Sequence, residues 1–179
     1  MLPYLLKWTS NSKWTVQDVI ISGVDSTIGL YRKATDYEIN KSSKLLSILG
    51  ALKLIEKSFL DLSSGEQVKV LIARALMSEA EIMILDEACV HLDLKSREHL
   101  LDMLEDLTKS KDSPTIIFVT QRIEDIIPVF NKGMMLKNGK ILAIGNRDDI
   151  LTENNIENLF NMSVELVKTE RNRYWPIVK

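Results

Sequence analysis

The stretch Leu62-Ser63-Ser64-Gly65-Glu66-Gln67 opens a segment in which apolar residues recur at helical spacing. Ser63 or Ser64 is a suitable N-cap residue, and Glu66 would lie in the first turn, where the helix dipole favours an acid. Free backbone amides at such a helix start, with hydroxyls beside them, can bind a phosphate. The stretch therefore predicts a capped helix, either an ordinary one or one whose N terminus contacts a phosphate.

A second stretch, Ile82-Met83-Ile84-Leu85-Asp86-Glu87, follows fifteen residues after Gln67. Its four consecutive apolar residues predict a strand that is buried on both faces, as in a parallel sheet. Asp86 and Glu87 would emerge at the carboxyl end of that strand, where ligands bind in open α/β sheets. Asp86 is suited to bind a magnesium ion, and Glu87 is suited to act as a general base. The simpler alternative is that both acids only begin the loop after a strand.

These stretches resemble motifs of the ABC (ATP-binding cassette) ATPases in the family's order and spacing. Residues 62–67 resemble the signature motif, residues 82–87 the Walker B strand with its catalytic glutamate, and residues 90–93 the D-loop. Upstream, residues 15–20 are similar to the segment that opens the family's helical subdomain, and Thr15 with Asp18 three residues later predicts a capping box there. Downstream, Gln121 occupies the position where the family normally has the switch histidine.

The resemblance implies an α/β, P-loop NTPase-like fold: an incomplete ABC nucleotide-binding domain with a helical subdomain and the later part of the parallel sheet core. We expect an irregular N-terminal tail over residues 1–14 and a partial ABC domain over 15–161. Within that domain, 15–63 would be the helical subdomain, and 64–161 would contain the signature helix, Walker B and the switch region. Residues 162–179 show no strong pattern and are expected to be a tail or linker.

By the same resemblance, the ligands are ATP and magnesium. Glu87 and Gln121 would be catalytic, and Asp86 would hold the metal ion. The residues expected to contact the nucleotide are Ser63, Ser64, Gly65, Glu66 and Asp93.

No Walker A loop is present, because none of the seven glycines begins a G-x-x-x-x-G-K-[ST] run. That loop supplies backbone amides and a lysine to the phosphates, so we expect no tight ATP binding and no hydrolysis by this chain alone. Within the family, two cassettes sandwich each ATP between one Walker A loop and the partner's signature. The resemblance thus implies a truncated or degenerate cassette that works with an intact cassette, or that self-associates. Any membrane partner would be another chain.

Two alternatives stay open. The chain could be a non-enzymatic module that regulates an intact cassette, or a fragment of an ABC-like translation or DNA-repair ATPase. The hairpin expected over 137–145 and the helix at 148–151 favour the transporter-like branch. Within it, residues 28–31 most resemble soluble tandem cassettes related to the molybdenum-uptake factor.

Three positions depart from the family pattern. Ser64 replaces a signature glycine, which is harmless only if its φ angle stays negative. Ala88 replaces the usual proline, which makes the loop after Glu87 less rigid. Gln121 can donate a hydrogen bond to a phosphate but cannot exchange a proton as histidine does.

The composition is that of an ordinary globular chain, with 179 residues, 45% hydrophobic and 27% charged. A net charge of −2 without a block of Lys or Arg predicts no nucleic-acid partner. The single Cys89 suits a reducing, intracellular and cytoplasmic setting. Residues 1–17 have only Lys7 and Lys13 as charges, which faintly resembles a mitochondrial transit segment. His91 and His99 are expected to be ordinary exposed side chains.

The predicted elements alternate between strand and helix in the middle of the chain, which favours a parallel sheet. A hairpin with a type I′ turn at Asn138-Gly139 is expected between residues 134–136 and 140–144. Strands of the same sheet would come from the first part of a cassette, so we expect exposed apolar faces here. The helices are predicted at 15–23, 36–52, 64–79, 94–110, 122–129, 146–152 and 154–161, and the central strands at 82–85 and 115–119.

Overall fold

The computed structural model describes residues 14–111 and 113–179. The chain divides after Val119 into two compact units. The tail expected over residues 1–14 lies outside the described residues except for Trp14. Among the residues that the structure describes, none of the helices has the length and apolarity needed to span a bilayer.

Three helices form one side of the first unit: α1 (Val16–Ile21), α2 (Asp36–Ile48) and α3 (Ser64–Met77). Each begins with a capping box, in which the N-cap hydroxyl and the carboxylate three residues later satisfy each other's backbone amides. The box predicted for α1 from Thr15 and Asp18 is confirmed. Short 3₁₀ turns at Leu52–Leu54 and Phe59–Asp61 lead from α2 into α3. The helices pack through buried residues that include Val19, Leu46 and Val70.

Helix α2 ends in a Schellman motif centred on Gly50. Gly50 has a φ of 61°, in the left-handed region that favours glycine. The amide of Ala51 donates to the carbonyl of Leu46 over 2.7 Å, and the amide of Gly50 donates to Ser47 over 3.0 Å. The helix therefore stops four residues before the end expected from its apolar spacing.

A two-stranded parallel sheet forms the other part of the first unit. Strand β1 (Ile82–Asp86) pairs with β2 (Thr115–Val119) from Ile82 opposite Thr115 to Asp86 opposite Val119. Helix α4 (Leu94–Thr108) connects them, so the predicted parallel pairing is confirmed. Its buried face carries Leu100, Leu101, Leu104 and Leu107.

The expectation that β1 is buried on both faces is wrong. Met83 and Leu85 are buried, but Ile82 and Ile84 are 56% and 60% exposed, and Ile117 and Val119 are 45% and 44% exposed. Alternate side chains of a strand point to opposite faces, and within the described residues only one face of this sheet is covered. The open face agrees with the expectation of exposed apolar surface.

The second unit begins with a hairpin of β3 (Lys132–Lys137) and β4 (Lys140–Asn146). Asn138 and Gly139 have φ angles of 50° and 73°, which confirms the predicted type I′ turn. Two helices follow, α5 (Arg147–Ile150) and α6 (Glu153–Phe160). The helix predicted over 122–129 is only a 3₁₀ turn at Ile123–Asp125, because Pro128 disfavours helical geometry in the residue before it.

Residues 162–179 contain a hairpin, so the expectation of an unpatterned tail or linker is wrong. Strand β5 (Val164–Lys168) pairs with β6 (Tyr174–Val178), and Val164 and Tyr174 enter the core of the second unit. Arg173 ties β6 to the 3₁₀ turn by donating from Nη2 to the carbonyl of Glu124 over 2.6 Å. The strand was not predicted because proline is disfavoured inside a strand and Pro176 lies within this one. Proline is tolerated in edge strands.

Candidate functional site

The signature stretch forms the first turn of α3. Ser63 is the N-cap, with φ −63° and ψ 158°. Its amide and its hydroxyl donate to the carboxylate of Glu66 over 3.0 and 2.9 Å. These hydrogen bonds, the backbone one first, lower the pKa of Glu66. The Ser63 hydroxyl and the Glu66 carboxylate are thus engaged with each other, whereas Ser64 is exposed.

Ser64 and Gly65, the two small residues after the N-cap, are under different structural constraints. Ser64 begins the helix and is not among the residues with positive φ, so the condition under which a serine is harmless there is met. Gly65 also avoids positive φ, but a Cβ atom on it would lie 3.0 Å from both Cβ and Oγ of Ser96. Position 65 is therefore restricted by a close neighbour on α4 rather than by backbone conformation.

The two acids at the carboxyl end of β1, Asp86 and Glu87, differ in backbone geometry. Asp86 is the last residue of β1 and is exposed. Glu87 has a φ of 52°, in the left-handed region that residues other than glycine seldom adopt. Its amide donates to the carbonyl of Val119 over 2.9 Å, which keeps Glu87 attached to the end of the sheet. Such strained residues concentrate at functional sites.

A hydrogen-bonded turn leads from Glu87 to the D-loop stretch. The amide of Val90 donates to the carbonyl of Glu87 over 3.1 Å, and the amide of Leu92 donates to the carbonyl of Cys89 over 3.2 Å. The Cys89 side chain is buried, as expected for a loop thiol. The turn delivers Asp93 directly to the start of α4.

Asp93 is exposed and is the N-cap of α4. Its carboxylate accepts hydrogen bonds from the Ser96 amide over 3.0 Å and from the Ser96 hydroxyl over 2.8 Å. These bonds, the backbone one first, lower the pKa of Asp93. The structure therefore brings the signature turn and the D-loop stretch together, through Ser96.

Sequence reasoning missed Ser96, although the spacing Asp-x-x-Ser at a helix start is a capping signal that could have revealed it. It also missed the left-handed φ of Glu87, for which the residue type carries no signal. His91 and His99 are exposed, as expected. Gln121 is exposed at the beginning of the second unit, and its catalytic role stays a prediction.

A metal ion would find few protein ligands here. The described residues contain no cluster of three or more His, Cys, Asp or Glu side chains that could hold one. Mg²⁺ does not require such a cluster, because it is commonly bound by one or two carboxylates together with water and substrate phosphates. Asp86, exposed at the strand end, is the carboxylate available for that purpose.

The sequence is similar to known proteins along most of its length. The family model described as ABC transporter matches residues 7–90. An ABC transporter ATP-binding protein of Streptococcus mutans is 34% identical over 159 residues, which are 89% of this chain and 61% of that protein. An uncharacterized ABC transporter ATP-binding protein of Bacillus subtilis is 35% identical, over 84% of this chain and 57% of its own length. The molybdate import ATP-binding protein of Haemophilus influenzae is 29% identical, over 87% and 60%.

The fold is likewise similar to solved structures. The inward-facing conformation of an ABC transporter, described as being of the metal-chelate type, matches with a TM-score of 0.80 and 26% identity, over 96% of this chain and 69% of that one. An ATP-binding cassette in its ADP conformation matches with a TM-score of 0.72, and at 18% identity it supports the fold alone. The chain spans about 60% of the curated relatives above, at 61%, 57% and 60%. With its signature, Walker B and D-loop stretches in sequence and its parallel sheet in structure, the chain belongs to the ABC transporter ATP-binding family and has part of that family's P-loop NTPase-like fold.

Proposed function

We propose that this chain contributes the signature and D-loop half of an ATP site, whose phosphate loop comes from an intact ABC cassette. The observation that carries the proposal is the exposed start of α3. The exposed Ser64 stands beside the backbone amides of a capped helix of 14 residues. A helix start of this kind attracts phosphate through its free amides and its dipole.

The capping box decides which groups are available to a phosphate. The Ser63 hydroxyl donates to Glu66, so contact with the nucleotide would fall to the Ser64 hydroxyl and the first-turn amides. Asp93, held by Ser96, would face the partner cassette from the neighbouring helix start.

The acids at the end of β1 would belong to a second site, which also needs a phosphate loop that is not found in this sequence. Asp86 would hold Mg²⁺, which supplies charge neutralisation to the phosphates when bound. Glu87 would orient and deprotonate the attacking water. For Gln121, which begins the second unit, donation of a hydrogen bond to a γ-phosphate is a separate proposal. The sequence contains no G-x-x-x-x-G-K-[ST] run, so we propose that the purified chain neither binds ATP tightly nor hydrolyses it alone.

We also propose that the chain is intracellular and that it acts with a membrane permease, which is another chain. Its support is the similarity to ABC transporter ATP-binding proteins, among them one named for molybdate import. A transporter-type cassette is therefore favoured over a translation or DNA-repair ATPase fragment.

The test is association with an intact cassette, for which the Streptococcus mutans relative is suitable. Binding should require Mg-ATP and should change the ATPase rate of the intact cassette. Ser64→Glu should abolish this association, because a carboxylate there repels the phosphate. Ser47→Glu, which adds the same charge at an exposed position of α2, should leave it intact.

Two results would count against the proposal. An unchanged ATPase rate and nucleotide affinity on titration would overturn it. Association that is equally strong without nucleotide would replace it with a non-enzymatic module that docks on a cassette.

A further inference from the structure

Ser96, on the first turn of α4, contacts both the signature turn and the D-loop stretch. Its hydroxyl donates to Oδ2 of Asp93 over 2.8 Å, and its amide donates to Oδ1 over 3.0 Å. Its Cβ and Oγ both lie 3.0 Å from the position that a Cβ on Gly65 would occupy. Leu92 contributes a third, looser neighbour to that position, at 4.0 Å.

These contacts restrict both the rotamer of Ser96 and the size of the residue at position 65. The hydroxyl of Ser96 is oriented by Asp93, so the side chain cannot rotate away from Gly65 without breaking that hydrogen bond. Gly65 in turn lies so close that any larger residue must displace Ser96. A change at one helix start is therefore transmitted to the other by direct contact.

We propose that Ser96 is a positioning residue that couples the signature turn to the D-loop aspartate, so that the two motifs are held as one rigid element. The contact itself depends on the fold alone; its consequence for nucleotide-dependent association rests on the proposed function.

A double-mutant cycle between positions 65 and 96 tests the coupling without any partner. In an ordinary helix, Gly→Ala is stabilising, because alanine has the higher helix propensity. Here Gly65→Ala should lower the melting temperature, because the new methyl group meets Ser96. Ser96→Ala should relieve part of that loss, and Ser96→Gly more of it, in the order in which they remove Oγ and Cβ.

The second readout distinguishes positioning from simple stability. We would follow the carboxyl carbon of Asp93 and the amides of residues 63–66 by NMR during an acid titration. Ser96→Ala should raise the pKa of Asp93 toward its ordinary value and shift the signature amides. Gly65→Ala should also move the Asp93 titration, although it removes no hydrogen bond from that carboxylate.

The outcomes separate this inference from the proposed function. If Gly65→Ala stabilises the chain whatever residue occupies position 96, or leaves the Asp93 titration unchanged, the coupling is refuted. If the cycle shows coupling but the chain does not bind a cassette, the proposed function fails and the coupling stands. If both hold, Ser96→Ala should weaken Mg-ATP-dependent association, in proportion to the shift of the signature amides.

Discussion

At the scale of single residues, Glu87 combines an expected position with an unexpected conformation. The motif predicted an acid directly after β1, and the structure has it there. Its φ of 52° could not be predicted, because the left-handed region is not favoured by glutamate. The contact of Ser96 with Gly65 could not be predicted either, because it depends on how α3 and α4, which are far apart in sequence, pack against each other. Motifs locate the groups along the chain, but tertiary contacts decide their conformation.

The strain at Glu87 can be measured by comparing two neutral replacements. Asparagine tolerates left-handed geometry better than glutamine, and a left-handed residue other than glycine costs roughly 1–2 kcal/mol. We expect Glu87→Asn to be more stable than Glu87→Gln by about 0.5–1 kcal/mol in urea unfolding. Because both variants lose the same charge, equal stabilities would show that the backbone conformation costs nothing.

At the scale of elements, local signals were reliable where side chains next to one another in sequence determine the structure. The capping box of α1 and the Asn138-Gly139 turn follow from the sequence. The β5–β6 hairpin was missed, because its strands are stabilised by burial of Val164 and Tyr174 in a core that distant residues complete. The end of α2 was misplaced for a related reason, since apolar spacing continues past Gly50.

The start of α2 should make stability depend on pH. The carboxylate of Glu38 pairs with the guanidinium of Arg32, and Arg32 also holds Asp25. Hydrogen bonds from Arg32 and then from the Thr35 amide lower the pKa of Glu38 to about 2, from an ordinary value of 4.5. A lowered folded-state pKa stabilises the fold above the ordinary pKa, and the contribution is lost as pH falls from 4.5 toward 2.

We therefore expect Glu38→Gln to lower the melting temperature at pH 7 and to have much less effect near pH 2. Arg32→Met should reduce the same pH dependence, since Thr35 still donates to Glu38, and the double variant should lose less stability than the sum of the two single variants. Thermal melts of the four proteins across this range would check it. A constant difference between wild type and Glu38→Gln at all pH values would contradict the assignment.

The Schellman motif offers a second test at this scale. Within the described part of the chain, no atom outside Gly50 and its two sequence neighbours lies within 4 Å of its Cβ position, so its φ of 61° is what opposes a side chain. Gly50→Ala should destabilise the chain by about 1 kcal/mol, and Gly50→Asn by less. Ser47→Ala, on the exposed side of the last turn, is the control and should be neutral within about 0.5 kcal/mol. A neutral Gly50→Ala would mean that α2 ends differently in solution.

At the scale of the whole molecule, the uncovered face of the β1–β2 sheet dominates the expected behaviour. Four large apolar side chains are exposed on it, and among residues 14–111 and 113–179 no further strand pairs with either edge of this sheet. We expect low stability and self-association of the purified chain. A monomeric protein with a sharp unfolding transition at high temperature would contradict this.

A substitution on each face of β1 separates association from folding. Ile84→Lys, on the exposed face, should increase the monomer fraction in sedimentation analysis with little change in the circular dichroism spectrum. Met83→Lys, on the buried face, should unfold the first unit, because an unpaired charge would enter its core. Unchanged association of Ile84→Lys would show that other surfaces are responsible.

Cys89 lies buried in the turn that joins Glu87 to Asp93, and it is the single cysteine of the chain. A thiol reagent can reach it only while that turn is open, so the labelling rate reports how often the segment between the two motifs opens. The protein thus contains its own kinetic probe at the centre of the candidate site. A ligand or partner that closes the turn should slow the labelling, with no engineered dye and no change to any proposed functional residue.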